Sequence, residues 1–267
     1  MTNALIAGTA IALASGLVGY FLVLRRQLFT GDALSHVAFT GALGALAAGY
    51  DARVGLFVGT VAISLLLGAI GSRGRADDVV IGGVFAWVLG LGVLFLSLYT
   101  SSSASATSSG GVSALFGSIL SLDATRTTSA VLVAGFVCAG LVVIGRPLLF
   151  ASIDEAVAAA RGVPVRALGF GFLLLVGLTA AEAAQAVGAL LLLGLLAAPA
   201  GVAHRLTARP VVAFWLSGGV AVAVMWAGLW LAYTAPSLPP SVAIVGVASV
   251  LYLAVLLITA GRRMENA

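Results

Sequence analysis

Residues 79–99 read VVIGGVFAWVLGLGVLFLSLY, a run without a single charged side chain. A transmembrane helix needs about 20 mainly apolar residues, so this stretch is long enough to cross a bilayer. Similar runs recur from one end of the chain to the other. Hydrophobic residues make up 61% of the 267 positions and charged residues only 8%, whereas soluble domains carry about 25% charged residues. The sequence therefore predicts an all-α polytopic membrane protein with one transmembrane domain over residues 1–267.

Hydropathy divides the chain into nine candidate spans. They are residues 4–24, 31–49, 54–72, 79–99, 127–145, 167–184, 186–203, 211–232 and 241–260. No polar loop separates the two spans within residues 167–203, so this region must cross twice or re-enter the membrane. We therefore expect eight to nine transmembrane helices, with Glu182 and Gln185 marking the turn in that region.

The basic residues predict how the chain is oriented. All 13 are arginine, and the chain contains no lysine. If the spans alternate in direction, every arginine except Arg53 and Arg126 falls on the same side of the membrane. Basic residues collect on the cytoplasmic side of membrane proteins. We expect the N-terminus outside and the C-terminus in the cytoplasm.

Two connecting segments have distinct compositions. Residues 100–113 (TSSSASATSSGGVS) are rich in serine and glycine and carry no charge, which is typical of a flexible external loop. Residues 146–166 form the longest cytoplasmic segment. Within it, Ser152 and Glu155 have the spacing of a capping box, and Gly162 is a helix-ending signal. A helix this short has no core of its own, so a partner surface or the membrane interface must support it.

Small residues recur at helical spacing in the second and third spans. Gly55 and Gly59 form a GxxxG pair, and Gly41, Ala45 and Gly49 repeat the same spacing. Such patterns allow close approach of two helices in a membrane. Packing within the chain is sufficient to explain them.

An aspartate and a histidine interrupt the second span, in TGDALSHVAFTG (residues 30–41). Asp32 and His36 are four residues apart and therefore share one helix face. A carboxylate and a neutral imidazole are ligands that suit Zn, Mn or Fe. The residues alone leave an alternative equally open, in which Asp32 caps the helix and His36 is a polar residue near the interface. Ionisable residues inside membrane segments are usually functional, and this favours the metal-ligand hypothesis slightly.

A second polar pair, Glu182 and Gln185, lies in the apolar stretch TAAEAAQAVG (residues 179–188). These two side chains are candidate polar contacts at the outer end of a metal pathway. Pairs of this kind more often solvate a turn, and we favour that interpretation mildly.

The sequence lacks the motifs of an enzyme. A P-loop requires a lysine, and this chain has none. If ATP drives the protein, another subunit must therefore bind and hydrolyse it. No Ser/His/Asp constellation, CxxC or HExxH motif is present either, so we expect no enzymatic activity in this chain.

Several blocks of the sequence together resemble the permease family that imports zinc, manganese and iron through ABC transporters. GDALSHVAFTGALGALAAG (31–49) is similar to the signature of the family's second span, and DDVVIGGVFAWVLGLGVLFLS (77–97) to its fourth-span block. Further matching blocks follow in the family's order: SALFGSIL (113–120), DEAVAAARGVPVR (154–166), AVGALLLLGLLAAPAGVAHRL (186–206) and APSLPPSVAIVGVA (235–248). The resemblance covers nearly the whole chain.

The resemblance implies a permease subunit of an ATP-driven importer in a bacterial cell membrane. The cargo would be a divalent transition metal, zinc or manganese, with iron as a further candidate, and no cofactor would be bound permanently. The implied partners are a second copy of the chain, a separate ABC ATPase and an extracytoplasmic metal-binding protein; nucleic acid is not among them.

The resemblance also assigns roles to residues. Asp32 and His36 match the family's metal-contacting pair, and residues 146–166 contain its coupling element for the ATPase. The candidate ATPase contacts are Ser152, Asp154, Glu155, Ala158, Arg161, Gly162 and Pro164. Two alternatives stay open: a secondary carrier driven by proton flux, and an ABC permease for a metal chelate such as a siderophore.

Overall fold

The computed structural model describes residues 2–71, 78–102, 117, 119–189, 192–235 and 238–265. All regular structure in these ranges is helical. The helices are α1 Thr2–Leu24, α2 Leu28–Ala47, α3 Ala52–Ile70, α4 Asp78–Ser102, α5 Ala124–Ile153, α6 Glu155–Ala160, α7 Val165–Ala186, α8 Leu192–Leu206, α9 Pro210–Thr234 and α10 Pro240–Glu265. A single 3₁₀ turn, Ile119–Ser121, precedes α5.

Seven of the described helices are long and apolar enough to cross a membrane, namely α1, α3, α4, α5, α7, α9 and α10. The predicted all-α membrane architecture is confirmed. The other two predicted spans appear as α2, with 20 residues, and α8, with 15. At about 1.5 Å per residue α8 is roughly 22 Å long, whereas the hydrocarbon core is about 30 Å thick. Helix α8 is therefore shorter than a full crossing.

Helix α1 lies at the centre of the bundle. It packs against α5, α7, α8 and α9, and every residue from Ala14 to Leu22 is buried. Helix α7 is the second interior helix, with α1, α2, α3 and α5 as neighbours. In helices α3, α4, α5 and α10, by contrast, fewer than a third of the residues are buried and the rest are partly or fully exposed. An apolar exterior around a close-packed interior is the arrangement that a lipid environment favours.

The predicted close approach of the second and third spans is present between α2 and α3. A Cβ atom placed on Gly41 would overlap the Gly55 carbonyl, and one placed on Gly55 would overlap the Gly41 carbonyl. Gly49 has a different role, since its φ of +80° ends α2 in a left-handed conformation. Glycine at 41 and 55 is therefore what permits this helix crossing.

The turn between α7 and α8 lies later than the sequence suggested. Glu182 and Gln185 are inside α7, which continues to Ala186. The chain changes direction after it, where Gly188 has a φ of +96°. The prediction of a turn at Glu182 and Gln185 is wrong, because the backbone freedom of a glycine makes this turn inside an apolar run.

The two predicted loops are shorter than expected. Thr100, Ser101 and Ser102 extend α4, and residues 103–113 lie outside the described ranges. In the second predicted loop, residues 146–166, helix α5 continues through Pro147 to Ile153. The first eight residues of this segment are therefore part of α5.

The start of the short helix α6 also differs from the prediction. Its N-cap is Asp154, whose carboxylate accepts a hydrogen bond from the Val157 N–H at 2.9 Å. Ser152 belongs to the last turn of α5, where its hydroxyl donates to the Leu148 carbonyl at 2.6 Å. The predicted capping box is therefore wrong, because α5 runs on beyond the point where the sequence suggested a new start.

The end of α6 follows the sequence signal. Gly162 has a φ of +79°, and the Val163 N–H donates to the Ala158 carbonyl at 3.1 Å. The Gly162 N–H donates to the Ala159 carbonyl at 3.0 Å. These two bonds form a Schellman motif, which satisfies carbonyls at the helix end.

Candidate metal site and coupling segment

Asp32 and His36 lie inside α2 and are both half-buried. The N-cap of α2 is Gln27, which precedes Asp32 by more than one helical turn. The alternative in which Asp32 caps the span is therefore wrong. Helix α2 contacts α3, α4, α7 and α8, so the two ionisable side chains are carried by a helix that other helices surround.

The imidazole of His36 is packed on one side by α4. Its ring meets the Phe85 ring edge to face, with centroids 5.1 Å apart, and Phe85 in turn meets Phe29 at 5.6 Å. This contact restricts how the imidazole can turn, and the His36 side chain is only half-buried. The histidine is therefore positioned and partly accessible.

The described residues contain no group of three or more His, Cys, Asp or Glu side chains that could hold a metal ion. The predicted pair, Asp32 and His36, would therefore supply only two ligands from one chain. Structural metal sites usually use four protein ligands. A two-ligand contact suits a cation in passage better than one bound permanently.

Glu182 is buried, with 4% of its surface exposed, and it is paired. Its Oε1 accepts from the Arg53 guanidinium, with a nitrogen–oxygen distance of 3.1 Å. Arg53 also donates to the Ser129 hydroxyl. The interpretation of Glu182 as part of a solvated turn is wrong, since its buried carboxylate pairs with the half-buried Arg53 in a contact that joins α3, α5 and α7.

Gln185 lies one turn beyond Glu182 on α7. Its Nε2 is buried and has no hydrogen-bond partner among the residues that the structure describes. One sequence feature points toward the ion pair: Arg53 is one of only two arginines predicted on the outer side. The sequence does not indicate which carboxylate it would meet.

Arg25 lies in the turn between α1 and α2, at the end of the bundle opposite the Arg53–Glu182 pair. It is buried, with 2% of its surface exposed. Its Nε donates to the Gln27 side chain at 3.0 Å, and one of its terminal nitrogens lies 3.5 Å from the Ser152 hydroxyl. The guanidinium also sits 5.5 Å from the Phe172 ring. Arg25 therefore joins the α1–α2 turn to the end of α5. Sequence reasoning treated it only as a cytoplasmic loop arginine.

Helix α6 packs on the end of the bundle through a small apolar cluster. Ala158 is fully buried against Ala151 of α5 and Val165 at the start of α7. The expectation that α6 has no core of its own is therefore wrong. Among the candidate contacts, Ser152 and Glu155 are half-buried and Ala158 is buried, whereas the exposed ones are Asp154, Arg161, Gly162 and Pro164.

Beside α6 lies an open depression of about 860 Å³. Its lining residues are Ala159, Val163, Pro164, Val165, Arg166, Ala167 and Phe170. The lining is mainly apolar with one guanidinium. This shape and composition suit the docking of a protein surface.

Comparison with known proteins identifies the family. The profile of the ABC 3 transport family matches residues 1–259. The chain belongs to the ABC 3 transport family. The resemblance seen in the sequence blocks is thereby confirmed.

Relatives of this family member include manganese transporters. The manganese transport system membrane protein MntC of Halalkalibacterium halodurans is 28% identical over 234 residues, covering 86% of this chain and 77% of that protein. The manganese import system permease protein ScaB of Streptococcus parasanguinis is 28% identical over 235 residues, covering 88% and 82%. Among solved structures, PsaBC from Streptococcus pneumoniae in complex with Fab has a TM-score of 0.79 and 26% identity, covering 95% of this chain and 90% of that chain.

Proposed function

We propose that this ABC 3 family member is the membrane permease of an ATP-driven importer that moves manganese into a bacterial cell. The observation that carries the proposal is the match over most of the chain to manganese transport permeases. Carboxylate and imidazole would serve zinc and iron as well, so the relatives, not the ligand types, favour manganese.

Asp32 and His36 are the proposed contacts for the passing cation. Their position inside α2 supports this role, because the capping alternative no longer accounts for Asp32. The negative charge of the carboxylate offsets part of the hydration free energy that a divalent cation loses on leaving water. The imidazole supplies a nitrogen ligand. Glu182 and Gln185 remain candidate polar contacts toward the outer end.

Contacts between helix ends support alternating crossings that include α2 and α8. Arg25 meets Ser152, and Arg205 lies 3.5 Å from the Thr259 hydroxyl, on the side proposed as cytoplasmic. Arg53 meets Glu182 at the other side. Each contact joins residues that nine alternating crossings place on the same side. This agreement supports nine alternating crossings, and the distribution of the arginines along them favours an N-terminus outside and a C-terminus inside.

The proposed energy source is a separate ABC ATPase docked against α6 and the adjacent depression. Its motion would reach α2 through the contact between Ser152, two residues before the α6 cap, and Arg25, three residues before α2. A second copy of the chain and an extracytoplasmic metal-binding protein would complete the importer. Two alternatives, a proton-driven secondary carrier and a permease for a metal chelate, gain no support from the ABC family membership or from the manganese relatives.

Manganese uptake by a transport-deficient bacterial strain tests the proposal, with the ATPase and binding protein co-expressed. Asp32→Asn should abolish uptake at normal expression, because asparagine keeps the side-chain size and removes the charge. His36→Gln should fail likewise, because it removes the imidazole nitrogen. Asp123→Asn is the matched control: Asp123 is an exposed N-cap, and asparagine caps about as well as aspartate.

Uptake at the wild-type rate by both Asp32→Asn and His36→Gln would overturn the site assignment. Uptake that persists without the ATPase but stops when the proton gradient is dissipated would overturn the ABC importer proposal in favour of the carrier. Because a two-point contact acts as a unit, the double variant should be little worse than either single one.

A further inference from the structure

A cleft opens between α1, α5 and α9, close to the ends of these helices that carry most of the described arginines. Its volume is about 240 Å³. Four aromatic rings line it, those of Tyr20, Phe21, Phe214 and Trp215. Phe214 packs against Tyr20 at 5.8 Å and against Phe21 at 5.7 Å between ring centroids. The rings support one another, so the cleft has a preformed apolar wall.

The cleft lies at a defined depth in the bundle. Tyr20 is four residues from the end of α1, Trp215 five residues from the start of α9, and Arg146 seven residues from the end of α5. At about 1.5 Å per residue these positions are roughly 6 to 11 Å inside the helix ends. In a bilayer this is close to the boundary between headgroups and acyl chains.

Arg146 is the one charged residue among the residues that line the cleft. Its side chain is exposed and forms no ion pair with any residue that the structure describes. No carboxylate lines the cleft. The site therefore combines an apolar wall with an uncompensated guanidinium.

We propose that this cleft binds an anionic phospholipid of the cytoplasmic leaflet, with its phosphate at Arg146 and the first part of an acyl chain against the aromatic rings. Guanidinium and phosphate form strong charge-assisted hydrogen bonds, and basic pockets between transmembrane helices on the cytoplasmic side bind anionic headgroups. The assignment to the cytoplasmic leaflet rests on the proposed orientation, with the N-terminus outside. The proposed lipid binding does not depend on that orientation.

The volume of the cleft fits partial enclosure of a lipid. Sites that enclose a whole drug-sized ligand measure about 300–1,000 Å³, and this cleft is smaller. The remainder of the lipid therefore stays in the bilayer. Trp215, with 53% of its surface exposed, is placed at the interface level where tryptophan is enriched in membrane proteins.

Native mass spectrometry of the full chain, delipidated in detergent, tests the proposal with two added lipids that share the same acyl chains. Phosphatidylglycerol should bind more tightly than phosphatidylcholine. Arg146→Gln should weaken phosphatidylglycerol binding about five-fold and phosphatidylcholine binding clearly less, because the choline cation already pairs with the phosphate of that lipid. The matched control is Arg126→Gln, the same substitution at an exposed arginine near the other end of α5, and it should change neither.

A second variant tests the apolar wall. Trp215→Ala should weaken binding of both lipids without altering the preference between them, and the exposure of Trp215 makes a folding defect unexpected. Equal binding of the two lipids by the wild-type chain would overturn the proposal. So would equal losses in Arg146→Gln and Arg126→Gln, displacement of the lipid by inorganic phosphate alone, or a second copy of the chain occupying the cleft.

Discussion

Replacing Gly55 by alanine should force α2 and α3 apart at their crossing. The new Cβ atom would overlap the Gly41 carbonyl and lie 2.5 Å from the Ala45 Cβ. Carbon atoms in contact are separated by about 3.5–4.0 Å, so the helices must separate locally by about 1 Å. Neither obstructing atom can move by changing a rotamer, because one belongs to the backbone and the other is a Cβ.

The expected cost follows from that displacement. Overpacking of this kind destabilises a protein by about 1–3 kcal/mol. Replacing a glycine inside a helix by alanine offsets about 0.5–1 kcal/mol of this, because alanine favours the helical backbone. The free energy of unfolding should therefore fall by roughly 1–2 kcal/mol. Asp32, the proposed metal contact, lies on the same helix as Gly41, so manganese uptake should fall as well.

Titration of the reconstituted chain with SDS in mixed micelles measures this free energy of unfolding. The matched control is Gly135→Ala: Gly135 is an exposed glycine of α5 with no neighbouring atom within 4 Å of an added Cβ. The control should be neutral or slightly stabilising. Equal stability of Gly55→Ala and Gly135→Ala would refute the conclusion that close approach at Gly55 determines the crossing.

Two further predictions concern the Arg53–Glu182 ion pair and helix α6. Arg53→Met should lower the free energy of unfolding by about 3 kcal/mol, because it leaves the buried Glu182 carboxylate without its partner. In the same SDS titration, the double variant with Glu182→Met should recover much of this loss. Strictly additive effects of the two substitutions would show that the pair is not coupled. Ala158→Pro should abolish uptake while membrane insertion stays intact. The substitution removes the hydrogen bond from the Ala158 N–H to the Asp154 carbonyl, and a proline in a helix interior costs about 3 kcal/mol. Ala156→Pro is its control, since the first turn of a helix tolerates proline, and equal uptake by the two proline variants would contradict a coupling role for α6.

The sequence by itself determined the class of the protein and its family. Apolar length is a local property, so runs such as 79–99 indicated membrane helices without reference to any other part of the chain. Gly162 was equally local, because its role depends on its own φ. The sequence blocks identified the family for a related reason: each is a short continuous segment whose order along the chain can be checked directly.

Tertiary structure decided which helix faces and helix ends meet. Arg53 and Glu182 are separated by 129 residues, and Arg25 and Ser152 by 127, so neither pairing is visible in any local pattern. Apolar side chains surround most of these helices, and the polar and apolar faces that reveal packing in a water-soluble helix are therefore missing. For the same reason the sequence could not place the start of α2 or the turn at Gly188. In a uniformly apolar chain, close packing of the helices and the few buried polar contacts fix those positions.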